Sequence, residues 1–209
     1  MRKVFNGLLI AAAILLVYLY YVSIMTPIEF ERERGVREAA VIQSLVDIRK
    51  AQVEFRKQNG RYTASLDTLI HFVNEGKMAV VLKEGTLTDK QLEEGLTEEK
   101  AVKMGIIRRD TSFVSVKETL FGNDFRAELL ALVPFGEGAT FEMAAGIYKT
   151  GSGLEIQVFE AKTPFSVFLQ GMDRQELINL ISLTEKLGKF PGLKVGSIEE
   201  ANNNAGNWE

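Results

Sequence analysis

The stretch VFNGLLIAAAILLVYLYYVSIM, from Val4 to Met25, decides how the rest of the chain is read. It holds no charged residue, and Asn6 and Ser23 are its clearly polar side chains. At about 1.5 Å of rise per residue, a helix of this length crosses a hydrocarbon core of roughly 30 Å. Lipid gives the backbone no hydrogen-bond partners, so such a segment must be helical. A cleaved secretory signal has an apolar core of about 7–15 residues followed by a small-residue cleavage site. This run is longer and ends in the bulky VYLYYVSIM, which favours a retained anchor. A buried core helix is not expected to be apolar on all sides at the start of a chain.

Flanking charge gives the expected orientation. Arg2 and Lys3 precede the span, while Glu29 and Glu31 follow it, soon joined by Arg32, Arg34 and Arg37. Two basic residues are easier to leave behind than to translocate, so the N-terminus is expected in the cytoplasm. Tyr18, Tyr20 and Tyr21 fit an aromatic belt at the outer interface. The body of the chain is then periplasmic or extracellular, anchored in the inner (cytoplasmic) membrane by a single pass. Within the span, Ala11, Ala12 and Ala13 form a small-residue side, and Asn6 lies near the cytoplasmic end. Small residues let membrane helices approach closely and an amide can bond across them, so these four are the candidates for packing in the span.

The 209-residue chain carries a net charge of −3, with no basic excess of the kind a nucleic-acid surface requires. With Arg2 and Lys3 set aside, acidic residues outnumber basic ones further, so the body is not drawn to an anionic leaflet. There is no cysteine, which excludes thiol catalysis and Cys-ligated zinc. An exported domain of this size must then depend on its hydrophobic core. No Asn-x-Ser/Thr acceptor occurs.

Beyond Pro27, Val41, Leu45, Ile48, Gln52 and Phe55 recur at spacings of four and three. That is one face of an amphipathic helix, and these five are its expected packing face. Glu33 with Arg37 and Arg34 with Glu38 are spaced as i,i+4 pairs on the solvated side. The spacing predicts either one long helix to about Gln58, bent near Pro27 with Gly35 as a second weak point, or two nearly continuous helices. Asn59-Gly60 supplies a left-handed stop, Ser65 an N-cap for LDTLIHFVN, and Gly76 the next stop. Ala79–Leu82 reads as a short strand. An acidic excursion over 84–105 follows, with capping-box spacing at Thr88/Gln91 and a stop at Gly95, then a second short helical turn from Thr97 and Lys100 ending at Gly105. Leu87, Leu92, Leu96, Val102 and Met104 are expected to anchor it.

After Ile106 the pattern turns to strands. Alternation is weak around Phe113 to Val116, while ATFEMAAGIY, KTGSG and LEIQVFEA read as a β-hairpin. PFSVFL is expected as a strand or lead-in. Asp173 and Glu176 open a helix with Leu177, Leu180, Ile181 and Leu187 on its apolar side, ended by Gly188. GLKVGSI is a last strand. The expected fold is α+β, with segregated elements. Residues 1–27 form a transmembrane anchor, 28–60 an amphipathic stalk helix, and 61–200 an exported domain of short helices and a small antiparallel sheet. Residues 201–209 form a polar tail, loosely ordered unless Trp208 docks.

Gln52, Phe55, Asn59, Gly60, Arg61 and Tyr62 together spell Q-x-x-F-x-x-x-N-G-R-Y, followed by Leu66 and Leu69. A membrane-rooted helix ending in this phrase and leading to a sheet resembles the type IV pilins and type II secretion pseudopilins. The wording covers residues 47–69 and the architecture residues 1–70. The resemblance implies a pilin-like fold and a structural or assembly role among membrane or envelope proteins, with self-association through the N-terminal helix. Family members carry a glycine, an apolar residue and then a Glu five residues into the mature span. Here Gly7 is followed by LLIAAAILL, with Ala12 at the Glu position. No functional residue is therefore carried over from the family.

Chemistry-bearing patterns are sparse. His71 is the single histidine and lies in the apolar turn LDTLIHFVNE, where a partly buried or capping role is expected. No G-x-S-x-G elbow and no G-x-x-x-x-G-K-[ST] phosphate loop occurs. Gly151-Ser152-Gly153 is a turn, since no glycine follows at the dinucleotide spacing. Glu93-Glu94 and Glu98-Glu99 offer carboxylate oxygens, but helix capping accounts for them. Asn202–Asn204 lacks the acidic positions of a calcium loop, and Arg108-Arg109-Asp110 reads as a solvated charge cluster. No catalytic residue, cofactor or metal is expected. Two readings remain: a membrane-anchored structural or assembly component, and a membrane-tethered binding module for a protein or small ligand.

Overall fold

The computed structural model describes residues 2–84, 97, 100, 101, 104 and 108–209. One helix, α1 (Arg2–Asn59), runs without interruption from the apolar segment into the folded body. Pro27 lies inside it. Proline lacks an N–H, so the carbonyl of Ser23 loses its intrahelical donor. One position earlier, the Thr26 hydroxyl donates to the Val22 carbonyl at 2.9 Å.

The two parts of α1 have opposite surroundings. Its most apolar 18 residues have a mean hydropathy of 2.4, and none is buried by the rest of the chain. This part of the helix is long and apolar enough to cross a membrane. From Phe30 onward α1 becomes the spine of the core: Val41, Leu45, Ile48, Ala51 and Phe55 are buried. They pack with Phe159 and Ala161 of one strand, Leu193 and Val195 of another, and Phe165, Phe168 and Leu169 between them.

α1 stops as its last residues dictate. Gly60 takes φ +72° and its N–H bonds to the Arg56 carbonyl at 2.8 Å. α2 (Leu66–Glu75) follows, with the Ser65 hydroxyl accepting from the Thr68 N–H at its start and the Gly76 N–H bonding to Phe72 at its end. β1 (Lys77–Glu84) and β2 (Arg108–Ser115) form an antiparallel pair, with Lys77 opposite Ser115. The capping positions Thr88, Gln91 and Gly95, the anchors Leu87, Leu92, Leu96 and Val102, and the acidic pairs of the 84–105 excursion lie outside the described residues. Ala101 is buried, but Met104, an expected anchor, is exposed.

β2 ends where Ser115 caps α3 (Val116–Leu120), so the buried Val116 belongs to a helix and not to the strand alternation. A 3₁₀ turn, Ala127–Leu130, leads to the second sheet. This sheet has the order β3 (Glu142–Lys149), β4 (Glu155–Pro164), β5 (Gly192–Gly196), all antiparallel. The β3–β4 turn has Gly153 at φ +85°, and the Thr150 N–H closes it on the Leu154 carbonyl at 2.9 Å. PFSVFL contradicts its strand expectation. Phe165–Phe168 is one helical turn, α4, started by Pro164. The reason is tertiary: an i,i+3 turn sends both Phe165 and Phe168 into the core. α5 (Arg174–Lys186) is capped by the Asp173 carboxylate, which accepts from the N–H groups of Gln175 and Glu176. Leu177, Leu180 and Ile181 pack on the core, but Leu187 is exposed because it lies past the helix end.

The last residues seal the outer edge of β5. The Gly196 N–H bonds to Ala205 and the Asn207 N–H to the Lys194 carbonyl, both at 3.0 Å. Trp208 packs on the core beside them. Gly196 has φ +72°, and a Cβ there would lie 2.2 Å from the Phe159 carbonyl oxygen. A side chain at that position would therefore break the approach of β5 to β4.

Candidate functional site

The polar side chains converge at the far end of α1. Gln52 is fully buried, and its amide bonds to Thr63 in both directions: Nε2 donates to the carbonyl at 2.6 Å and Oε1 accepts from the N–H at 3.2 Å. This pins the connector 60–65 back onto the helix. Phe55 meets Phe72 edge-on at 5.1 Å, and the Asn59 amide donates to the Phe55 carbonyl at 3.0 Å. Tyr62 lies on Phe159 at 4.8 Å. Its hydroxyl accepts from Arg56 at 3.2 Å and from the Asn204 amide at 2.9 Å. Gln52, Phe55, Asn59, Gly60 and Tyr62 of the phrase thus have local duties in building a corner, while Arg61 is exposed.

Around this corner an open groove of about 820 Å³ is lined by Arg49, Lys50, Arg56, Lys57 and Tyr62, with Glu54 and Asn204. A smaller cleft of about 210 Å³ adjoins it and shares Arg56, Tyr62 and Asn204. Each cation already has a partner within the chain. Arg49 donates to Glu209 at 2.6 Å and to the Asn204 carbonyl at 3.2 Å. Lys50 pairs with Asp47 at 2.9 Å, Lys57 with Glu54 at 2.8 Å, and the Arg56 guanidinium lies 5.3 Å from the Tyr62 ring centre. Asn203 and Asn204 hold the far wall at φ +52° and +60°, a conformation that asparagine tolerates. The groove is open and not enclosed, unlike most small-molecule sites.

The sequence-derived candidates fall in two places. Val41, Leu45, Ile48, Gln52 and Phe55 share the buried face of α1 against the body. Asn6, Ala11, Ala12 and Ala13 lie on its exposed apolar part, with no partner among the described residues. His71 is exposed on α2, 3.4 Å from Glu75, and neither caps a helix nor enters the core. Its i,i+4 neighbour faces water because the apolar side of α2 is carried by Leu69 and Val73. Among the described residues no group of three or more His, Cys, Asp or Glu side chains could hold a metal ion. The acidic pairs Glu93-Glu94 and Glu98-Glu99 lie outside them.

Sequence spacing found the Glu33–Arg37 and Arg34–Glu38 pairs but misjudged their setting. Both exist, at 3.0 and 2.8 Å. Yet Arg37 also donates to the carbonyls of Phe168 and Gln170, at 3.1 and 2.9 Å, and lies 5.2 Å from the Phe135 ring centre. Arg34 lies over Phe165. Burial works against its charged form, but Glu38 and Glu31 outweigh that, and its pKa is raised. These arginines clamp the body to α1. The only sequence signal was an arginine at an i,i+4 spacing, which does not reveal contacts across 131 residues.

No protein-family model matches the chain, and no curated protein and no solved structure is significantly similar to it.

Proposed function

We propose that this chain is a single-pass, membrane-anchored structural or assembly component of the cell envelope, pilin-like in architecture. Its N-terminus is cytoplasmic and its body periplasmic or extracellular. One observation carries the reading: the bare apolar part of α1 and the buried spine of the body are the same unbroken helix. A continuous helix ties the position of the body to that of the span, which suits an assembly component. Partners are other membrane or envelope proteins, including further copies meeting along Asn6 and Ala11–Ala13. The proposal assigns the chain no reaction. Protease added to sealed, right-side-out cells or spheroplasts should remove the body and leave a short protected fragment near residues 1–27. A fully protected body would overturn the orientation, and complete digestion would overturn the span.

The groove at Arg56, Tyr62 and Asn204 favours a second reading, a membrane-tethered binding module. Pull-down of the full chain in mild detergent, compared with Arg56→Ala, separates the two. A partner lost in the variant with unchanged complex size supports the module, and an unchanged partner set supports the assembly component.

A further inference from the structure

The join between span and body has no spacer. Val4–Met25 is the apolar run, and Phe30, five residues later, is already buried. Met25, Thr26 and Pro27 are half-buried. Thr26, Glu29 and Phe30 share a groove of about 510 Å³ with Gly171, Met172 and Asp173 from the α4–α5 loop. Helical side chains slant toward the helix N-terminus, here toward the span. The same groove also takes in Glu33 and Arg37, so the loop faces α1 between residues 26 and 37, and the end of that stretch nearest the apolar run lies beside Gly171–Asp173. The headgroup layer is about 6 Å deep on each side of the hydrocarbon, which corresponds to roughly four residues of helix. Ile28, exposed and apolar, follows Met25 within that number of residues. The Arg37 bonds to Phe168 and Gln170 hold this end of the body against α1, so it cannot swing away.

We propose that the body rests directly on the bilayer, with the loop Gly171–Asp173 and the start of α5 in the lipid headgroup layer. This rests on the reading of Val4–Met25 as a membrane span. The surface involved carries Glu29, Glu33, Asp173 and Glu176 against Arg37 and Arg174, so it fits a zwitterionic lipid surface and not an anionic one. The Gly151–Gly153 turn lies at the other end of β4, away from this loop.

The chain has no cysteine, so one introduced cysteine gives a unique spin-label site. The full chain is reconstituted in phosphatidylcholine vesicles as Ile28→Cys, Arg174→Cys and Ser152→Cys. Collision of each nitroxide with dissolved oxygen and with a water-soluble nickel chelate is then measured. Labels at 28 and 174 should be shielded from nickel to a similar degree, and the label at 152 should be severalfold more accessible to it. An interfacial label at 28 with one at 174 as aqueous as that at 152 overturns the proposal while leaving the span intact. An aqueous label at 28 overturns both. Met172→Cys provides the same readout should Arg174→Cys disturb the cap of α5.

Discussion

The apolar front of α1 and its buried rear contrast within one helix. Leu15 and Leu16 are as apolar as Leu45, yet they stay exposed, while Leu45 is completely buried. The difference lies in the rest of the surface. The front is apolar all round, so no face is left for water, whereas the rear confines its apolar residues to one stripe and carries Glu31, Glu33, Arg34 and Arg37 beside it. An apolar residue count therefore does not identify core. The width of the apolar surface decides whether lipid or protein covers it. The helix stays continuous through Pro27, where the Thr26 hydroxyl bonds to the Val22 carbonyl one position before the proline.

The contrast is broken most directly by truncating the same residue type in each part. Leu45→Ala should destabilise the body by about 2–5 kcal/mol, the usual range for a buried leucine. Leu15→Ala should change the same unfolding transition by less than about 0.5 kcal/mol. Chemical denaturation of the full chain in detergent, followed by Trp208 fluorescence, reads both. Equal losses would mean that the front of α1 is covered by protein and would sink the division drawn here.

A second change tests how the rear of α1 ends. Gln52→Met keeps volume and removes both bonds to Thr63. Thr63 is half-buried, so water repairs only part of the loss, and the body should lose about 1–3 kcal/mol. Amide exchange at Thr63 should quicken with it. Unchanged stability and exchange would mean that the corner is held by Phe55 and Tyr62 alone.

Much of this architecture was legible because its causes are local. The apolar run, the four-and-three spacing from Val41 to Phe55, the caps at Ser65 and Asp173, the stop at Gly60 and the turn at Gly153 each depend on residues close in sequence. What escaped depends on distant partners. Nothing near Arg37 indicates the carbonyls of Phe168 and Gln170, and nothing near Asn204 indicates Tyr62. PFSVFL has apolar content that suits a strand, and only the core position of both phenylalanines selects a helical turn. The groove at Arg56 was missed for the same reason. Its walls come from the end of α1, the start of β4 and the last residues of the chain.

The smallest effect is expected where neither lipid nor core surrounds the group. Glu128, in the exposed 3₁₀ turn, has its carboxyl pKa lowered, first by a hydrogen bond from its own backbone and then by the Asn74 amide, which donates at 3.1 Å. A carboxyl whose folded pKa lies below its unfolded one adds stability above the unfolded value and loses it as pH falls through the folded one. Wild-type chain should therefore exceed Glu128→Gln in unfolding midpoint at neutral pH, and the gap should close as the solution is acidified below the ordinary carboxylate range. Because the group is open to solvent, added salt should shrink the gap as well. A gap that persists unchanged into acid would show that the contact acts through shape, as the contacts of Leu45 do, and not through charge. The same titration applied to Leu45→Ala gives the control: its deficit comes from packing, so it should be indifferent to pH until the body unfolds.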